Sequence, residues 1–139
     1  MKKRGNNSLT LFLILILSAF IFSFAYKVWH PFDYSKIKIE VLNACGIDDL
    51  ARDTSRFLRK KGFDVTYFGN AAEYQNKTII VDKLSTDKKW GKLVSRTLGI
   101  KTISTHIDST RLVHVIILLG KDYDYVLPKE ILNRRFIGL

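Results

Sequence analysis

From its N-terminus the chain opens on an uninterrupted run of apolar positions, "LTLFLILILSAFIFSFAY", residues 9–26, with no charge inside it. As a helix, eighteen residues rising about 1.5 Å each span about 27 Å, close to the hydrocarbon thickness of a bilayer. The pattern predicts one transmembrane helix. Past residue 36 the period changes to two: Ile37, Ile39 and Val41 alternate with Lys38 and Glu40, as in a half-buried strand. Helical spacing follows. Ile47, Leu50, Ala51, Thr54, Phe57 and Leu58 form one stripe, and Arg52, Asp53, Arg56, Arg59 and Lys60 the opposite one. Gly62, after two lysines, is placed to end that helix. "FDVTYFG" and "KTIIVDK" read as second and third strands. "STDKKWGKLVSRTLG" reads as a second amphipathic helix, capped by Ser85, Thr86 or Asp87 and closed by Gly99, with Trp90, Leu93, Val94 and Leu98 facing inward. "IKTIS" suits a short strand. "RLVHVIILLG" carries apolar residues on both faces of its second half, which predicts the centre of the sheet.

The order is β-α-β-β-α-β, with a short extra strand before the last. Right-handed crossovers put both helices on one face of a small open sheet of four to five strands, with one exposed hairpin between the two units. The expected class is α/β, of the α+β-like kind, behind one N-terminal transmembrane helix. The chain divides into a basic N-terminus (1–8), an anchor (9–26), a juxtamembrane tether (27–36) whose Pro31 stops the helix, a domain (37–123) and a C-terminal tail (124–139). In the tail, Leu127, Ile131 and Leu132 are spaced to dock a short helix after Pro128.

Charge changes the picture in two ways. Lys and Arg number 23 against 13 Asp and Glu, a net charge of +10 in 139 residues. That favours polyanions: nucleic acid, anionic lipid or acidic wall polymer. The basic cluster Lys2, Lys3 and Arg4 precedes the apolar run, and Tyr26, Trp29, Phe32 and Tyr34 follow it. This asymmetry predicts a cytoplasmic N-terminus and an extracytoplasmic domain, periplasmic or wall-facing, on a single-pass protein of the inner or plasma membrane. Ser23-Phe24-Ala25 is a small-x-small site, so a cleaved signal peptide is the alternative to a signal-anchor. Both readings put the domain outside the cytoplasm and remove nucleic acid as a partner.

The stretch "IKIEVLNACGIDDLARDTSRFLRKKGFDVTYFGNA" resembles the opening of the LytR C-terminal domain (LytR_C) family. The shared features are Val41-Leu42-Asn43 ending a strand, Gly46 in the loop, Leu50-Ala51 opening a helix, and Gly62-Phe63-Asp64-Val65. "NKTIIVDK" is similar to the family's third strand, and Leu119 to Tyr123 to its Leu-Gly-x-Asp-Tyr close. The likeness covers roughly residues 37–123. Two positions depart from it: Ala44 and Asp49 stand where the family usually has glycine. The family's domains sit on single-pass envelope proteins, often behind a catalytic domain that transfers wall polymers. That catalytic part is missing here, so the resemblance implies an accessory, non-catalytic role in envelope assembly or maintenance. The implied ligand is peptidoglycan or an anionic glycopolymer; the alternative is a module that assembles a membrane complex through an envelope protein.

Candidate chemistry is sparse. Cys45 lies too far past the apolar run for lipidation, and one cysteine excludes an internal disulfide. A packed side chain at the turn is the expectation, with an intermolecular disulfide second. As a nucleophile it would need a base, and His30, His106 and His114 are all distant in sequence. No paired carboxylates, Ser-His signature or metal-ligand spacing occurs, so no enzymatic activity, cofactor or metal is expected. Asn43 and Gly46 read as the residues that organise the motif turn. The acidic pair Asp48-Asp49 at the helix start opposes a phosphate there. The candidate ligand surface is basic: Arg52, Arg56, Arg59 and Lys60 on the first domain helix, and Lys88, Lys89, Lys92 and Arg96 on the second. With both helices on one side of the sheet, these faces are expected to adjoin. Docking on an anionic surface is worth roughly 1 kcal/mol per basic residue close to it.

Overall fold

The computed structural model describes residues 7–29, 32–108, 110 and 112–136. It falls into two compact units, Met1–Asp33 and Tyr34–Leu139. The first contains α1, Asn7–Trp29. Its segment Asn7–Val28 has a mean hydropathy of 2.5 and no buried residue, long and apolar enough to cross a membrane. The helix therefore continues through Lys27 into the stretch expected to be tether. Lys2, Lys3, Arg4, His30 and Pro31 lie outside the described residues.

The second unit begins with a single 3₁₀ turn, Tyr34–Lys36, and continues β1 (Lys38–Asn43), α2 (Leu50–Lys60), β2 (Asp64–Asn70), β3 (Ile79–Asp82), α3 (Lys89–Leu98), β4 (Ile103–Thr105), β5 (Val115–Leu119), α4 (Tyr123–Val126) and α5 (Lys129–Phe136). The strands form one open sheet in the order β2-β1-β5-β3-β4. β1 runs parallel to β2 and to β5; β3 runs antiparallel to β5 and parallel to β4. The last strand occupies the middle, as its two-faced apolar sequence requires. The hairpin expected between β2 and β3 does not form, because β1 and β5 lie between them. Residues 71–78 instead cross the strand ends. Their backbone is satisfied there: Ala71 N–H donates to Asn43 O at 2.8 Å, Gln75 N–H to Ala44 O at 2.7 Å, and Lys121 N–H to Gln75 O at 3.1 Å.

Alternation along the strands sets the core. Ile39, Val41, Ile80, Val115, Ile117 and Leu119 are buried against Leu50, Phe57 and Leu58 of α2 and Val94 and Leu98 of α3. Each such side chain contributes about 1.5–3 kcal/mol by leaving water. α2 packs on β1 and β2, and α3 on β3 and β4. The C-terminal segment joins the same cluster: Leu127 and Ile131 are buried, Leu132 packs against it, and α5 rests on α2. On the sheet's other face Leu42, Ile79, Val81, Ile116 and Leu118 are only part-buried.

One motif turns out to be scaffolding. At Gly120 a Cβ would lie 2.3 Å from the Lys77 carbonyl carbon, so only glycine admits the crossing backbone. Next to it, the Asp122 carboxylate accepts from the Thr78 N–H at 2.7 Å and hydroxyl at 2.8 Å, and the hydroxyl oxygen accepts from Gly120 N–H at 3.0 Å. The Leu-Gly-x-Asp-Tyr close thus fastens the end of β5 to the start of β3.

Candidate functional site

The candidate cations expected from the sequence lie on α2, α3 and the turn before α3. Arg52, Arg56, Arg59, Lys60, Lys89, Lys92 and Arg96 are exposed; Lys88 is half-buried. Several are already engaged. Arg52 pairs with Asp49 at 2.8 Å and Arg56 with Asp53 at 3.5 Å. The Arg59 guanidinium donates to Val65 O at 2.8 Å and lies over the Phe68 ring. The Lys88 ammonium donates to Ile103 O at 2.9 Å, and Lys89 sits over Trp90. Among the described residues, Lys60, Lys92 and Arg96 have no ion-pair partner. α2 lies over β1 and β2, α3 over β3 and β4, and α5 packs against α2.

The β1-α2 turn is built by Asn43, whose side chain is 8 % exposed. Its amide nitrogen donates to Ile47 O at 2.8 Å, while its Oδ1 accepts from the Cys45 N–H and thiol, both at 3.2 Å. Cys45 is half-buried and packs against the core. Gly46 has φ 74°, and Asp49, just before α2, has φ 60°. Both are left-handed, a conformation that glycine adopts without strain and aspartate only at a cost. A cleft of about 320 Å³ opens beside this turn, at the carboxyl ends of β1 and β2. Asn43 and Gly46 line one side, Asp48 and Asn70 the rim, and Glu73 and Tyr74 of the crossing segment the other. The Tyr74 ring rests on Gly46, where an added Cβ would be 3.0 Å from Cε1.

At the far end of the sheet lies a residue the sequence reading passed over. Asp82 is fully buried. Its Oδ1 accepts from Leu84 N–H at 3.1 Å and Ser85 N–H at 2.8 Å; its Oδ2 accepts from the Ser85 hydroxyl and Gly91 N–H, both at 2.8 Å. One carboxylate therefore ties β3 to the first turn of α3, where negative charge suits the helix dipole. Ser85, an expected cap, accepts from Lys89 N–H at 2.8 Å. Close by, His114 Nδ1 accepts from Lys38 N–H at 3.2 Å and the imidazole meets Trp90 edge-on. Burial, with Lys38 adding to it and Asp82 opposing, holds the His114 pKa below its ordinary value. Lys83 is buried and pairs at 3.6 Å with Asp108, whose carboxyl is held below the usual range chiefly by the Thr110 hydroxyl. Among the described residues no three His, Cys, Asp or Glu side chains converge as a metal site requires.

Compared with known families, residues 36–123 match the LytR_C model, described as LytR cell envelope-related transcriptional attenuator. No curated protein and no solved structure matches the chain.

Proposed function

The chain belongs to the LytR_C family, and from that premise we propose that it is a single-pass envelope protein whose domain lies outside the cytoplasm and binds a wall component without catalysing a reaction. The observation that carries the reading is one chain joining the matched domain to α1, a helix apolar enough to anchor it. Orientation rests on Lys2, Lys3 and Arg4 ahead of that helix, which favour a cytoplasmic N-terminus. The non-catalytic part of the reading draws on Asn43, Gly46, Gly120 and Asp122. All four motif residues are occupied with turns and strand ends rather than aimed at a reacting centre.

For the wall component, Lys60, Lys92 and Arg96, exposed and without an ion-pair partner among the described residues, offer cations to an anionic glycopolymer. The test is co-sedimentation of the full-length chain, in detergent, with purified wall sacculi. Pelleting at low salt that fades as salt rises, and that weakens in Lys92→Glu/Arg96→Glu, supports the reading. A chain that stays in the supernatant at low salt refutes it. A second reading, assembly of a membrane complex through a protein partner, is favoured by the part-exposed apolar face of Leu42, Ile79, Val81, Ile116 and Leu118. It predicts crosslinked protein partners and indifference to sacculi.

A further inference from the structure

We propose that the cleft at the carboxyl ends of β1 and β2 binds an amino sugar, a saccharide unit carrying a protonated amine. The proposal rests on the envelope reading above and gives it a second, chemically different surface. Open α/β sheets bind ligands outside the carboxyl ends of their strands, and this cavity, about 320 Å³, falls at the small end of the range for small-molecule sites.

Its charge is opposite to that of the chain. In a protein of net charge +10, the described residues that line the cleft include Asp48 and Glu73 and no lysine or arginine. Neither carboxylate pairs with a base among the described residues. An anionic polymer is therefore repelled here, whereas an ammonium group meets two carboxylates.

Asn43 adds a directional contact. It is more than nine-tenths buried and lines the cleft. One amide hydrogen goes to Ile47 O; the second has no acceptor among the described residues. The nitrogen itself is already bonded, and its second hydrogen can serve a ligand hydroxyl or ring oxygen in the cleft. Tyr74 supplies the platform. Its ring is seated on Gly46 yet the residue is 74 % exposed, leaving an aromatic surface and a hydroxyl at the cleft edge. Such a ring stacks on a sugar and attracts an ammonium group. Amides, carboxylates and one aromatic ring, without cations, form a lining suited to a hydroxyl-rich cationic unit.

The test uses the full-length chain in detergent, titrated calorimetrically below neutral pH with a glucosamine tetramer, whose amines are protonated there. An N-acetylglucosamine tetramer is the matched neutral probe. The glucosamine tetramer is expected to bind at least tenfold more tightly than the acetylated one. Asp48→Asn/Glu73→Gln and Tyr74→Ala, all at exposed positions, are each expected to weaken it at least tenfold. Equal affinity for the two tetramers, or unchanged affinity in the carboxylate variant, overturns the proposal. If sacculi pellet the chain but the glucosamine tetramer is ignored, the cleft assignment fails while the envelope reading stands. If the tetramer binds and sacculi do not pellet the chain, the cleft assignment holds and the wall reading fails.

Discussion

Replacing Asp82 by asparagine keeps the shape of the side chain and removes one acceptor oxygen. Four donors converge on the carboxylate, two on each oxygen. The amide's best orientation leaves its oxygen toward the Leu84 and Ser85 N–H groups and its NH2 toward Gly91. The Ser85 hydroxyl can rotate and accept from that NH2, but the Gly91 N–H cannot. It becomes a buried donor facing another donor, which costs about 1–3 kcal/mol. The two surviving bonds lose their charge assistance and weaken by roughly half. Relief from burying an ion offsets part of the loss. The net expectation is about 2 kcal/mol, near 8 °C in Tm for a domain of this size. Urea unfolding of the full-length chain in detergent, followed by tryptophan fluorescence, measures it. Arg52→Gln, which breaks only the exposed pair with Asp49, is the control and is expected to change stability by less than about 0.5 kcal/mol. A loss below about 0.5 kcal/mol in Asp82→Asn would refute the account of Asp82 as the clamp between β3 and α3.

Three further outcomes follow from local geometry. Asp49→Gly relieves a left-handed φ and is expected to stabilise by about 0.5 kcal/mol, read as a higher urea midpoint; it gains less than the full strain because the unfolded chain also becomes freer. Thr54→Val removes a buried hydroxyl with no partner among the described residues, at nearly constant volume, and is expected to raise stability by about 1 kcal/mol in the same assay. His114 has a folded pKa depressed below its ordinary value of 6.5, so below that pH the unfolded chain binds the proton more readily. Its contribution is complete above pH 6.5 and is lost as pH falls through and below that value. Unfolding measured from pH 7.5 down to 5.5 is expected to show a slope that His114→Gln flattens.

Much of the fold was legible because the period switches are sharp. Ile37 to Val41 announced β1, the stripes of α2 and α3 were uninterrupted, and "VIILL" marked the central strand before any pairing was known. The missed connection between β2 and β3 depends on which strands pair, and local sequence does not encode that choice: an eight-residue link serves a hairpin or a crossing equally. The tail's spacing was readable, but its place against α2 is a matter of packing. Asp82 was hidden because a strand-end aspartate usually faces water; only the fold brings Gly91 to it. One signal was present and unused. Asp49 precedes Arg52, and Asp53 precedes Arg56, by three residues, a spacing at which helical side chains pair. Counting those pairs would have trimmed the basic face to fewer available cations. The acidic cleft needed tertiary structure, since Asp48 and Glu73 are 25 positions apart.

The place of β5 has a consequence for how the molecule is made. The first strand-helix-strand unit ends at residue 70 and the second begins at residue 79, yet neither touches the other's strands without the segment 115–119 between them. A chain that emerges N-terminus first, from a ribosome or a translocation pore, carries two open half-sheets until residues 115–119 appear. Completion waits for that strand, and a premature stop before residue 115 leaves two exposed strand edges with nothing to join them.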